Sequence, residues 1–211
     1  MAITGVSFNS TADVKTFLMG TGFFNEISTD GQGVYCRIDQ YSVALTIPWS
    51  TSSSGTLKFS PDPNNAQIQA SLNVWGPRFG YKTQNGVLLM TDNTLSGSSG
   101  YLMHCLIGRT NNGEVAVAMG SGQSPSSIKA AAYNESAQNI NTEFSIGGTR
   151  WDDSPQFITA PIPTHPLAGT SYIKGSITLN VGPTVGVGVI NINGIDYITN
   201  GCFGISDEEF D

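Results

Sequence analysis

The chain has 211 residues, 39% of them hydrophobic and only 12% charged, with a formal net charge of −7. Such a length suits one all-β unit or two small ones, and aromatic and β-branched residues spread from end to end argue against disorder. The nine Lys and Arg residues stand singly on a negative chain, which argues against a nucleic-acid partner. No apolar run reaches roughly 18 residues, and the first residues carry neither a basic n-region nor an apolar h-region.

These features predict a soluble protein with no membrane partner, made in the cytoplasm without a signal peptide. Ser10 or Thr11 is placed to cap a helix over Ala12 to Met19, with Asp13 in capping-box spacing and Gly20 ending it. Val14, Phe17 and Leu18 form its apolar face, and Phe23 and Phe24 continue the same cluster. A short packing helix near residues 11–19 follows.

From Gly33 the period changes to two and the punctuation to Gly, Asn, Pro and Ser. Strands are expected at Val34–Asp39, Tyr41–Ile47, Thr56–Ser60 and Gln67–Trp75. In the last, Ile68, Ala70, Leu72 and Val74 alternate with polar residues. Val87–Thr91, Tyr101–Ile107, Val115–Met119 and Ser127–Tyr133 come next, with Asn85-Gly86 and Asn112-Gly113 as turn dipeptides tolerant of positive φ. Phe144–Ile146, Phe157–Thr159, Tyr172–Leu179, Val185–Ile192 and Ile195–Thr199 complete the series, and Asn193-Gly194 joins the last two as a hairpin. The Pro-rich link Pro161 to Pro166 marks a candidate boundary near 161–169 within a single β-rich domain spanning 1–211. Ser206–Asp211 reads as an acidic tail, mobile unless something docks it. The expected fold is all-β, a mainly antiparallel β-sandwich or Greek-key barrel with one short amino-terminal helix.

Chemistry is sparse. His104 lies in the apolar run Tyr101–Ile107, where alternation puts it beside Leu102 and Leu106 as a core or interface residue. His165 sits between Thr164 and Pro166 with no partner in reach by spacing. Gly120-Ser121-Gly122-Gln123-Ser124 misses the register of a nucleophile elbow. Asp39, Asp92, Glu114, Asp152, Asp153 and Asp196 offer carboxylates for glycoside hydrolysis, but no spacing selects a pair. Asn191–Asp196 alternates oxygen ligands as calcium loops do, yet lacks their charge, and a hairpin turn explains it better. Cys36, Cys105 and Cys202 read as buried free thiols. No zinc ligand pair and no phosphate loop are present, so the expectation is a non-enzyme with no cofactor and no metal.

Arg150-Trp151-Asp152-Asp153 is the most site-like cluster, since an aromatic ring beside carboxylates can hold a sugar. The plainer reading has Trp151 anchoring a loop while the charges face water. With Trp75 and Asp152, Trp151 forms the candidate carbohydrate-binding set. Trp49 and Tyr81 are further exposed-aromatic candidates.

The opening Ala2-Ile3-Thr4-Gly5-Val6-Ser7-Phe8-Asn9-Ser10, leading into a short helix and Phe23-Phe24 and then into Ser/Thr/Gly/Asn-rich strands, resembles the virion structural proteins of tailed bacteriophages. Tail, baseplate and neck components are the nearest in style. The resemblance carries no diagnostic motif and transfers no functional residue. It implies a virion location, with other copies of the chain and other virion proteins as partners. A surface of uncharged hydrogen-bonding residues suits that role, because burying an unpaired charge between subunits is costly. The alternatives are a carbohydrate-binding or host-recognition module with a glycan partner, a capsid decoration protein, and a glycoside hydrolase using Asp152 or Asp153.

Overall fold

The computed structural model describes residues 5–38, 43–50, 53–60, 70–91, 101–110, 113–122, 127–132, 141–145, 159–160, 171–178, 188–200 and 202–208. Strand β1 (Val6–Ser7) leads into helix α1 (Thr11–Leu18). Ser10 caps the helix: its hydroxyl accepts from the Asp13 amide at 3.2 Å, while the Asp13 carboxylate accepts from the Ser10 amide at 3.0 Å. The Asn9 amide, donating to the same carboxylate at 2.8 Å, and then Ser10 hold the Asp13 carboxyl below its ordinary range. Gly20, at φ +80°, takes the chain out of the helix as expected. Val14 and Leu18 are buried, and Phe17 meets Phe8 edge-on at 5.2 Å between ring centroids.

The next five strands, β2 (Glu26–Thr29), β3 (Gly33–Arg37), β4 (Leu45–Pro48), β5 (Gly55–Phe59) and β6 (Ala70–Val74), form an antiparallel meander, the first sheet. The second sheet is the meander β7 (Phe79–Lys82), β8 (Gly86–Met90), β9 (Met103–Arg109), β10 (Val115–Ser121), β11 (Ser127–Ala132) and β12 (Asn141–Ser145), with β1 added beside β7. A two-stranded ribbon pairs β13 (Thr159–Ala160) with β14 (Ser171–Tyr172). The last four strands are β15 (Ser176–Thr178), β16 (Gly188–Ile192), β17 (Ile195–Thr199) and β18 (Phe203–Ser206). They form a third sheet in the order β15-β18-β17-β16, which sets the first strand beside the last, as a Greek key does.

The three sheets make a layered sandwich because the middle one is apolar on both faces. Along β8 and β9, Val87, Leu89, Met103, Cys105 and Ile107 face the first sheet and α1, packing with Val34, Leu45, Ile47, Leu57 and Phe59. Their neighbours Leu88, Met90 and Leu106 face the other way, onto Ile173, Ile198, Cys202, Phe203 and Ile205. An unbroken apolar run marks a strand covered on both sides, and β8 (Gly-Val-Leu-Leu-Met) is such a run. We call the two interfaces the first and second seams. The fold of the described residues is thus all-β and antiparallel with one short helix, as the period-two pattern predicts.

Four strands carry no such sequence signal: β1, β2, β7 and β18. In two of them the alternation is broken by a glycine that packing requires. A Cβ on Gly80 would lie 2.5 Å from the Phe8 ring and 2.8 Å from that of Phe17, and one on Gly204 would lie 2.8 Å from Ile177. The expected strand Tyr172–Leu179 is instead broken between β14 and β15, where Gly175 turns the chain at φ +64°. Asn85-Gly86 departs from expectation as well, since Gly86 opens β8 without a positive φ, and the turn is closed by the Thr83 amide donating to the Gly86 carbonyl at 2.9 Å. The link Pro161 to Pro166 lies outside the described residues.

Candidate functional site

The hairpin β16–β17 sits at the outer margin of the third sheet. Asn193 at φ 52° and Gly194 at φ 90° form the tight turn read from the sequence, with Ile192 paired to Ile195 across it. Asn191 locks the turn by accepting from the Gly194 amide at 3.1 Å and donating to the Asp196 carboxylate at 2.6 Å. The alternating oxygens that superficially match a calcium loop therefore serve the turn. Ile190, Ile192 and Ile195 are half-buried against Ile177 and Tyr197, whereas Val189 is 38% exposed.

Among the described residues β16 has a strand on one side only. The backbone donors and acceptors on its other side are unpaired by any described strand. From Gly188 to Thr199 Asp196 is the one charged residue, and Asn191 already engages it. Edge strands are ordinarily blunted by Lys, Pro, bulges or inward charges. None of these residue types occurs in Gly188–Ile192.

A second polar feature ties the third sheet to the second. In the β7–β8 turn the Asn85 side-chain amide donates to the Ser206 and Glu208 carbonyls, each at 2.7 Å. The Gln84 amide donates to the Asp207 carboxylate at 2.9 Å, and the Gln84 side-chain amide donates to the Asp207 carbonyl. Gly175 closes the junction: its carbonyl accepts from the Ser206 amide at 2.8 Å, and a Cβ there would lie 2.6 Å from Asn85 Nδ2. Ser206–Glu208, expected to be mobile unless docked, is docked in this way.

Of the sequence-predicted aromatic residues, the structure describes Trp49, Trp75 and Tyr81. Trp75 is 7% exposed and Tyr81 8%, so neither presents the open ring face expected of it. Tyr81 lies on β7 and packs into the second seam, and Trp75 directly follows β6. Trp49 is half-buried, with the Arg78 guanidinium 4.2 Å from its ring centroid, an intramolecular cation–π contact. Trp151 and Asp152 lie outside the described residues, as do Asp39, Asp92, Asp153 and His165. Of the other carboxylates, Glu114 accepts from the Thr110 hydroxyl at 3.2 Å, and partial burial raises its pKa. Cys36, Cys105 and Cys202 are buried and unpaired, their thiols pushed up by burial, Cys36 to about 12. Among the described residues no three His, Cys, Asp or Glu side chains gather as a metal site, and no helix is long and apolar enough to cross a membrane.

Sequence reasoning located the hairpin turn but missed the Gln84–Asn85 junction. Its partners lie more than a hundred positions away in the chain, and no local pattern reports such a contact. Compared with protein-family models, with curated proteins and with solved structures, the chain has no match.

Proposed function

We propose that this chain is a structural subunit of a bacteriophage virion, in the tail or baseplate, acting by packing against copies of itself and against other virion proteins. The observation that carries this reading is the uncharged edge of β16, which no described strand covers, with Val189 exposed on it. A strand margin of that kind accepts another extended strand through main-chain hydrogen bonds, and the low charge density of the surface suits burial between subunits. The resemblance of the opening segment and of the strand style supports the virion assignment.

Light scattering coupled to size-exclusion chromatography, together with mass spectrometry of purified particles, tests the reading. A homo-oligomer that dissociates at least tenfold more readily in Val189→Lys, with the melting temperature unchanged, is expected. A strict monomer at high concentration that is absent from particles would sink it.

A further inference from the structure

The second seam holds one ionisable side chain in an unusual state. His104 is 6% exposed, on β9, facing the third sheet. Its Nε2 lies 2.9 Å from the Gly122 carbonyl. A carbonyl only accepts, so Nε2 carries the proton and the ring is the neutral Nε2–H tautomer. Nδ1 is then a lone pair, buried and without a hydrogen-bond partner.

The surroundings offer a cation little. Met90 on β8 and Gly120 on β10 flank His104 in the register and carry no charge. Across the seam stand Asn200, which reaches the Leu89 carbonyl and the His104 ring, and Cys202, a member of the second-seam cluster. The Asn200 side-chain oxygen is committed to its own turn, accepting from the Cys202 and Phe203 amides at 3.1 and 2.8 Å. Cys202 and Tyr81 are the other titratable members of this apolar cluster, and burial keeps both neutral at acid pH. The backbone at Asn200 favours a protonated ring, but burial outweighs it and lowers the His104 pKa from its ordinary 6.5.

The seam is fastened differently at its two ends. At the Gly86 end the Asn85 and Gln84 bonds to Ser206–Glu208 and the bridge between Thr110 and Ile173 hold the third sheet down. At the Met90 end Asn200 Nδ2 makes a long contact to the Leu89 carbonyl, 3.5 Å.

We propose that His104 is an acid-sensitive catch, whose protonation at Nδ1 loosens the third sheet from the second at the Cys202 end while the Asn85 end stays fastened. The sign follows from linkage. Below pH 6.5 an exposed His104 binds a proton that the closed seam does not, so closure is complete above 6.5 and is lost as pH falls, by up to tenfold in open fraction per pH unit for one proton.

The cysteines supply a built-in reporter, because Cys202 lies in the second seam while Cys36 and Cys105 lie in the first. Thiol labelling with 4,4′-dithiodipyridine, which reacts in acid, is followed site by site between pH 7.5 and 5, with Cys36 as the internal reference. The expected result is a rise of Cys202 labelling relative to Cys36 of up to tenfold per unit below 6.5, flattened in His104→Gln. Hydrogen exchange of the unmodified protein gives the same reading without a variant: amides of β17 and β18 lose protection in acid before those of β3 and β4. Three thiols labelled together, a Cys202 ratio independent of pH, or a slope that persists in His104→Gln overturns the proposal.

Discussion

Asn85 offers the sharpest test of how the third sheet is seated. Replacing it with Ala removes two donors, each 2.7 Å from a main-chain carbonyl of Ser206 or Glu208. A net value of about 0.5–1.5 kcal/mol per bond gives a loss of about 1–3 kcal/mol. With a urea slope of about 3 kcal/mol/M, a loss of about 2 kcal/mol moves the unfolding midpoint down by about 0.7 M. Asn85→Asp sharpens the reasoning, because it sets a carboxylate against the same two carbonyls and beside Asp207. It should cost more than Ala at neutral pH. Part of the deficit should return below about pH 4, where the acid regains one donor. Urea titrations of both variants at pH 7 and 4, followed by far-UV circular dichroism, decide the matter. An Ala variant within about 0.2 M of the parent midpoint, or an Asp variant no worse than Ala, refutes the assignment.

Two further substitutions probe the other layers. The buried Thr91 hydroxyl accepts from the Met103 amide at 3.0 Å and lies 3.2 Å from the Gly76 carbonyl as donor, so Thr91→Val should cost about 1–3 kcal/mol in denaturant melts by leaving those groups unpaired; a neutral outcome would refute the role. Ser10→Ala removes the helix cap and should cost about 1 kcal/mol, with Ser10→Asp recovering most of it by accepting from the same amide, as read by thermal melts.

The elements legible in the sequence are those whose patterns are local. The cap at Ser10, the Asn193-Gly194 turn and the apolar run Val87–Met90 each state their structure within a few residues. The strands β7 and β18 were hidden because Gly80 and Gly204 interrupt their alternation, and the need for those glycines comes from Phe8, Phe17 and Ile177, far off in the chain. The buried position of His104 was legible from its apolar neighbours. Its half-satisfied state was not, since the one hydrogen-bond partner of its ring nitrogens, Gly122, lies beyond the end of β10. Trp75 and Tyr81 misled for the complementary reason: aromatic type does not say which side of a strand faces water.

The middle sheet's second apolar face also has a consequence for synthesis on the ribosome. The first seam joins segments made in quick succession, whereas Tyr81, Leu88 and Leu106 must wait for Phe203 and Ile205. At about 5–20 residues per second that interval is roughly 5–20 s, during which an apolar sheet face stands uncovered on the nascent chain. The protein therefore passes through a stage in which a half-built sandwich presents apolar surface to its own siblings.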